Sequence, residues 1–471
     1  MDLGTTFCAA VEREPNALAI VDGAIRLTYA QWKERVMRVV SGLQQRGVGR
    51  GDRVVTVLRN SEPMATLYWA TQLLGATLTP VNWRLSRDEL EFIIEDAEPR
   101  CVIGEAATSF EELLDGTSAT STDSVSEETY SIMLYTSGTT GRPKGVLRTH
   151  RAERAAALAH IAQNHYGRSE RTLGVMPLYH TMGIRSLIAM TMLNGRFVAM
   201  PRWDPTQALD LLERERITNL YLAPTLFYDL LADSSLEERD LRALRKIGFA
   251  GAPMTPVLVE RCFATFNPDV FVNHYGSTEI YTFSINDTLR AKPASAGKAG
   301  INERLSVIDG EIAVHMSSPE AFSGYWKRPD AQARAIRDGW YHTGDAGKID
   351  EDGDLFVLGR IDDMIISGGE NIYPAEVEDA MAHCPAIARI AVIGMPDERL
   401  GQKIVAFVEP ANGEVKEEHL ETYARSCGMT QFKRPREYIF VRAIPQSPSG
   451  KILRTKLRAG EYERRGVSLR S

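Results

Sequence analysis

Four Ser/Thr hydroxyls and three glycines crowd into the stretch Tyr135-Thr-Ser-Gly-Thr-Thr-Gly-Arg-Pro-Lys-Gly-Val146. Glycine lets the backbone approach a ligand closely, and hydroxyls and amides together can wrap phosphate oxygens. The spacing is not that of a Walker loop, because Gly138 to Lys144 lacks G-x-x-x-x-G-K-[ST]. Such a composition also suits a linker; the short apolar run Ile132 to Leu134 in front of it points instead to a phosphate loop at the end of a strand. Further along, Glu279 follows Tyr275-Gly-Ser-Thr and offers a hard oxygen ligand suited to Mg²⁺. Tyr275 presents an aromatic face. Asp345, after His342-Thr-Gly, can accept two hydroxyls. Lys451, in Pro445-Gln-Ser-Pro-Ser-Gly-Lys451, carries a compact ammonium. Each residue alone also has an ordinary reading, as surface carboxylate, core tyrosine, turn aspartate or solvated lysine.

Such residues need rigid elements to hold them. Thr28 is a good N-cap, and Trp32, Val36, Val39, Val40 and Leu43 recur at helical spacing over Tyr29 to Gln45. Gly47 to Asp52 reads as a turn, Arg53 to Leu58 as a strand, Met64 to Leu74 as a helix stopped by Gly75, Leu78 to Val81 as a strand and Asp88 to Asp96 as a helix. This alternation predicts layered α/β structure with largely parallel strands. Residues 105–129, rich in Ser, Thr, Asp and Glu, read as a surface connection. Alternation resumes from Ile132 to about Val272, followed by a Gly- and Pro-punctuated region up to Trp340. A last unit reads as helix Glu376 to His383, strands Ala388 to Ile393 and Val405 to Val408, and helix His419 to Ser426. A domain boundary is expected near Arg360 to Asp362.

The 471 residues exceed one ordinary core. A hydrophobic fraction of 44% and a charged fraction of 25% are those of a globular protein. The net charge of −7 is dispersed, which argues against a nucleic-acid partner. Five cysteines with no CxxC pattern argue against a disulfide framework or a zinc site and point to a reducing cytoplasm. No signal peptide is read in Met1 to Ala17, and no apolar run is long enough to span a membrane.

The loop at Tyr135 to Val146 resembles the signature of the adenylate-forming superfamily, which includes acyl- and aryl-CoA ligases, luciferases and peptide-synthetase adenylation domains. Tyr275-Gly-Ser-Thr-Glu279, Tyr341-His-Thr-Gly-Asp345, Gly359-Arg-Ile-Asp-Asp-Met-Ile-Ile-Ser-Gly-Gly-Glu-Asn-Ile-Tyr-Pro374 and the Pro445 to Lys451 motif follow in the family's order. The Gly359 to Pro374 stretch looks especially close to that of halobenzoate- and other aryl-CoA ligases. The resemblance implies an α/β fold with a large N-terminal domain of layered sheets and a distorted β-barrel (1–360) and a small mobile α+β C-terminal domain (361–471). It implies ATP, Mg²⁺ and coenzyme A as cosubstrates and cofactors. By resemblance, the nucleotide is bound by Thr136, Ser137, Gly138, Thr139, Thr140, Gly141, Lys144, Gly251, Ala252, Tyr275, Gly276, Ser277, Asp345 and Arg360. Thr278 contacts the α-phosphate, Glu279 the metal, and Lys451 the α-phosphate and the attacking carboxylate. Asp362 matches the hinge about which the domains alternate.

His180, in Pro177-Leu-Tyr-His-Thr-Met-Gly183, resembles the family histidine where acyl group and pantetheine meet. By analogy Met182, Gly183, Tyr221, Ala223, Phe249, Ala250, His274 and Tyr281 line the acid pocket, whose character suits an aromatic, cyclic or other hydrophobic acid. No Asp lies between Pro177 and Met200 to hold an α-ammonium, so an amino-acid substrate is disfavoured. Arg185 is a departure: either a helix-surface arginine, the commoner case, or a partner for a second carboxylate or a ring hydroxyl. Ser367, Gly368, Gly369 and Glu370 resemble the pantetheine tunnel, with Lys433 and Arg434 placed to hold the CoA nucleotide. Twenty residues follow Lys451, too few for a carrier domain. The expected function is an acid–CoA ligase, with a medium-chain fatty acyl-CoA synthetase or an enzyme loading a carrier in trans as alternatives. A homodimer is compatible with this reading. The Pro445 to Lys451 segment also fits the pattern by which many acyl-CoA synthetases are switched off through lysine acetylation, implying an acetyltransferase and a deacetylase as partners.

Overall fold

In the computed structural model, residues 1–104, 107–115, 124–136, 143–411, 415–446 and 452–465 are described. Ser137, Gly138, Thr139, Thr140, Gly141 and Lys451, together with residues 447–450, lie outside them. No helix among the described residues is long and apolar enough to cross a membrane.

Two mixed sheets form the large N-terminal part. The first has nine strands in the order Lys298–Ala299, Ser284–Asn286, Val270–Tyr275, Lys246–Ala250, Asn219–Leu222, Arg171–Gly174, Arg196–Ala199, Leu18–Asp22, Ile25–Thr28. Its centre is parallel and its margins are antiparallel. The second runs Gly324–Tyr325, Lys144–Thr149, Tyr130–Thr136, Thr77–Pro80, Arg53–Val57, Cys101–Gly104. The region expected as a distorted barrel is a five-stranded antiparallel sheet between Leu305 and Arg360. The last sheet is built from Ile365–Ser367, Glu370–Ile372, Ile387–Asp397, Gly401–Pro410 and Glu437–Phe440, covered by helices Pro374–Ala382 and Glu417–Ser426.

Local signals explain most of these elements. The helix Tyr29–Gln45 begins with a reciprocal cap, in which Gln31 N donates to Thr28 Oγ1 and Thr28 N donates to Gln31 Oε1. Its apolar stripe packs on helices Leu3–Arg13 and Glu62–Leu74, where the Phe7 and Trp69 rings stack at 5.0 Å and Trp32 Nε1 donates to Thr66 Oγ1 at 2.8 Å. Residue 75 adopts φ +67°, which suits glycine and ends the second of these helices. The stretch 105–129 holds more than a connection. Ser109 and Glu112 cap each other at the start of a short helix, Phe110–Leu114, which buries Phe110 and Leu113. A Cβ at Gly42 would stand 2.4 Å from Leu113 O, so the close approach of these two helices requires that glycine. The Ser109-x-x-Glu112 cap is a local start signal masked by its acidic, hydroxyl-rich surroundings.

The helix His150–Gln163 joins the second sheet to the N-terminal helix. His150 is fully buried, and its Nδ1 accepts from Leu3 N at 3.1 Å. Burial pushes its imidazolium pKa down to about 4. Because the folded value lies below the unfolded one, near 6.5, the unfolded chain takes up the proton first as pH falls. Stability is therefore full above pH 6.5 and is lost between there and about pH 4. His150→Gln keeps an acceptor for Leu3 N and does not titrate. Between pH 7 and 4.5, the wild type is expected to lose more stability than this variant, by about 2–3 kcal/mol. Urea unfolding at a series of pH values measures the difference, and parallel profiles would refute it.

Candidate active site

Three segments converge at the C-terminal end of the strand Val270–Tyr275. The chain leaves the strand at Tyr275 and makes a tight turn through Gly276, Ser277, Thr278 and Glu279. A Cβ at Gly276 would fall 2.2 Å from Tyr281 O, so only glycine fits. Ser277 N donates to Ile280 O at 3.0 Å, Glu279 N to Ser277 Oγ at 3.2 Å and Phe283 N to Tyr275 O at 2.8 Å. A fully buried arginine outside the family motifs braces this turn. Arg148 Nη1 donates to Glu279 O at 3.0 Å and Thr278 O at 3.3 Å, Nε donates to Glu153, and the guanidinium lies 3.6 Å from the Tyr281 ring centroid. Glu279 is 7% exposed, and its Oε1 accepts from the Tyr325 hydroxyl at 2.7 Å. Lys144 Nζ sits 4.4 Å from the Tyr325 ring centroid. Thr136 and Lys144 pair in register, so the two ends of the candidate phosphate loop face each other across one antiparallel strand pair.

The strand Trp340–Ile349 sets Asp345 opposite Arg360 on the strand Leu355–Arg360. Arg360 Nη1 donates to Asp345 Oδ1 at 3.0 Å and to Thr343 O at 2.8 Å, and the Tyr275 hydroxyl donates to Asp345 Oδ2 at 2.5 Å. Burial and then the Asp345 charge push the Tyr275 phenol well up, so it remains a donor. Each Asp345 oxygen keeps a second acceptor site for a hydroxyl, and Arg360 Nε is buried without a partner. Gly251, at φ +88°, and Ala252 lie in the connection after the strand Lys246–Ala250. This corner can hold a ribose against an anchored carboxylate and place its phosphates beside Thr278 and Glu279.

Several residues expected to line an acid pocket gather around the helix Thr181–Met192, whose N-cap is the half-buried His180. Asn60 fixes the approach to it. Its Nδ2 donates to the carbonyls of Gly174, Val175 and Met176 at 3.1, 2.9 and 2.8 Å, and Leu178 N donates to its Oδ1 at 2.8 Å. A Cβ at Gly183 would lie 2.3 Å from Pro177 O, which explains the glycine. Met176, Met182, Tyr221, Ala223 and Ala250 form one apolar cluster. Phe249 does not join it. Strand alternation turns Phe249 into the core on the opposite face, where it meets Phe271 at 5.7 Å, while Gly248 faces Tyr221 and Asn164. Tyr281 packs between Arg148 and Arg185.

Arg185 is not a surface residue: it is 2% exposed. Nη1 donates to Thr282 Oγ1 at 2.6 Å and Nη2 to the Tyr221 hydroxyl. Tyr221 also lies 5.2 Å from the His274 ring and 4.7 Å from the His160 ring, and Asn164 Nδ2 lies within 3.1 Å of His274 Nε2 and 2.9 Å of His160 Nδ1. Burial first, and the Arg185 charge second, hold His160 and His274 well below the ordinary imidazole range and His180 down to about 4, so all three are neutral at pH 7. Sequence reasoning missed Arg148, Asn60, His160, Asn164, Thr282 and Tyr325, because none lies in the motif stretches quoted for the nucleotide and acid sites. The only local signal among them was the spacing of Arg148 and Glu153 across a strand-to-helix junction.

In the C-terminal unit, Ser367 and Glu370 close a two-residue hairpin whose central glycines adopt φ +62° and +87°. The turn itself demands these glycines, and a Cβ at Gly369 would meet nothing within 4 Å. Lys433 Nζ pairs with Glu376 at 2.8 Å, and Arg434 Nε donates to Met429 O at 3.0 Å. Asp362 lies in a single 3₁₀ turn, Ile361–Asp363, with its side chain 63% exposed and 4.0 Å from Arg360. Gln446 and Ile452, the described residues that flank the candidate lysine segment, bridge to each other.

Fold and nucleotide corner together define an AMP-binding enzyme, and the chain belongs to that family. Residues 7–326 match the family described as AMP-binding enzyme, and residues 376–451 match the AMP-binding enzyme C-terminal domain. Among relatives, the chain is 32% identical to the long-chain-fatty-acid–CoA ligase FadD13 of Mycobacterium tuberculosis, over 92% of this chain and 93% of that one. It is also 32% identical to 4-chlorobenzoate–CoA ligase of an Arthrobacter species, over 95% of this chain and 93% of that one. ATP-bound MatB from Rhodopseudomonas palustris superposes with a TM-score of 0.90 at 28% identity, covering 98% and 99% of the two chains.

The bracing of the Gly276–Glu279 turn generates a test. Arg148→Met leaves Glu153 buried without its cation and is expected to cost about 3–5 kcal/mol. Arg148→Met combined with Glu153→Gln should recover part of that loss while nucleotide binding stays weakened. Urea unfolding and calorimetric ATP titration read the two effects. An unchanged ATP affinity in the double variant would show that Arg148 does not position the turn.

Proposed function

We infer that this chain is an ATP-dependent carboxylic acid–CoA ligase working in two steps. A carboxylate oxygen attacks the α-phosphorus of ATP, forming the acyl–O–P bond as the bond to pyrophosphate breaks. The CoA thiol then attacks the acyl carbon, forming the thioester as AMP departs. The observation that carries this reading is the joining of the Tyr275–Asp345–Arg360 corner to the braced Thr278–Glu279 turn, near an apolar cluster that includes Met182, two positions after His180.

The roles follow from position. Asp345 and Arg360 hold the ribose end, and Thr278 and His180 flank the reacting carboxylate. Glu279 is a buried carboxylate in the turn after the strand Val270–Tyr275, and one carboxylate plus phosphate oxygens is a donor set that suits Mg²⁺. That ion would neutralise charge on the departing pyrophosphate. Lys451 supplies a point charge to the first step only, and Asp362 is the pivot that takes it away. The division at 360/361 rests on the same reading, as does the assignment of Ser367, Gly368, Gly369, Glu370, Lys433 and Arg434 to the CoA side. The apolar cluster of Met176, Met182, Ala223 and Ala250 suits a substrate with an apolar body. Acetylation of Lys451 would remove its charge and stop adenylation.

The test is pyrophosphate release over benzoates, cyclohexane carboxylates and fatty acids, with and without CoA. Lys451→Ala is expected to lose adenylation by at least about 100-fold while turning supplied acyl-adenylate into thioester at near wild-type rate. Asp362→Pro is expected to do the reverse, because proline fixes φ near −65° and stiffens the pivot. Equal losses in both half-reactions for either variant, in single-turnover assays, would refute the alternation. AMP formation that does not depend on CoA, with no thioester produced, would refute the ligase.

A further inference from the structure

Arg185 is a buried cation beside the residues expected to bind the acid; the buried Glu320 is near enough to feel its charge but makes no ion pair with it. Two arginines rank among the largest fully buried side chains, Arg148 and Arg185. Arg148 has Glu153 as its counter-ion. Arg185 has no carboxylate within ion-pair distance among the described residues. Its two hydrogen-bond partners, Thr282 Oγ1 and the Tyr221 hydroxyl, are both neutral. Its Nε has no partner, and neither do the nearby His274 Nδ1 and His160 Nε2. Burying an ion without a partner is costly, and a chain that keeps one is poised to receive the opposite charge from a ligand.

Position says where that charge would come from. Arg185 lies on the same helix as the residues that follow His180, five positions further on, which is about 7 Å along a helix axis. Its guanidinium is 5.0 Å from the ring centroid of Tyr221, which belongs to the apolar cluster of the acid pocket. An acid whose reacting carboxylate sits at the His180 end would therefore extend past Met182 and Tyr221 toward Arg185.

Resting on the ligase reading, we propose that Arg185 is the specificity residue of the pocket and that the substrate is a dicarboxylic acid, one carboxylate being adenylated while the other pairs with the Arg185 guanidinium. The planar fork suits this role, since Nε–H and an Nη–H can meet both oxygens of one carboxylate. The distal group is a carboxylate and not an ammonium, because the group it would meet is a guanidinium and the imidazoles beside it, His160 and His274, are neutral. The product thioester keeps its distal carboxylate.

Initial rates of pyrophosphate release, with ATP and CoA, test this on matched pairs: glutarate with pentanoate, adipate with hexanoate, pimelate with heptanoate, and terephthalate with 4-methylbenzoate. In each pair a methyl group replaces the distal carboxylate. In at least one pair the wild type is expected to favour the dicarboxylate in kcat/KM by about 100-fold or more. Arg185→Met should invert that preference and keep or raise the thermal midpoint, because it removes an unpaired buried charge. Arg185→Lys, a second variant should the first not fold, should lose at least about tenfold for the dicarboxylate and little for its partner. A wild-type preference for the methyl partner in every pair, or equal losses for both acids in the variants, overturns the proposal and leaves the ligase standing. Absence of pyrophosphate with every acid, including the benzoates and fatty acids above, overturns the ligase reading and this proposal with it.

Discussion

The nucleotide corner depends on one buried cation. Arg148 sits near the end of the strand Lys144–Thr149, pairs with Glu153 in the first turns of the next helix, and reaches the backbone carbonyls of Thr278 and Glu279. It thus ties together the second sheet, the helix His150–Gln163 and the turn after the strand Val270–Tyr275. A turn with this much polar backbone would otherwise need water to satisfy its carbonyls. With a charged donor beneath it, the turn holds Glu279 in a nearly dry setting, where a carboxylate interacts more strongly with a cation than at the surface. Tyr325 adds a second fixed donor to the same carboxylate.

The other fully buried arginine shows the opposite principle. Arg148 has its counter-ion within the chain, in Glu153, although its Nη2 has no hydrogen-bond partner. Arg185 is held by neutral hydroxyls beside neutral imidazoles, so its charge stays available. Two similar residues, each buried, thereby serve different ends: one stabilises geometry, and the other stores electrostatic potential in the pocket. The same contrast separates the two ends of the acid-binding region. At the nucleotide end, backbone turns and carboxylates define positions closely. Toward Tyr221, the thioethers of Met176 and Met182 pack with the small side chains of Ala223 and Ala250 in one apolar cluster.

The sequence by itself determined the elements and the nucleotide motifs. Periodicity, caps and glycine stops are local properties, so the helices at Tyr29–Gln45 and Glu62–Leu74 and the strands beside them are legible from neighbouring residues alone. The turn at Tyr275–Glu279 and the Asp345 segment are legible for a similar reason: each is a short contiguous stretch whose residue types stand in a recognisable order. The tertiary structure alone decided the rest. It decided that Phe249 leaves the pocket, because alternation fixes which residues share a face but not which face meets the substrate. It brought Asn60, Arg148, Asn164 and Thr282 to this region from separate elements, through contacts between residues 97 to 131 positions apart. It also decided that Arg185 is buried, since a helix's polar face is recognisable only once its neighbours are packed against it, and burial is what turns an ordinary arginine into an unpaired charge.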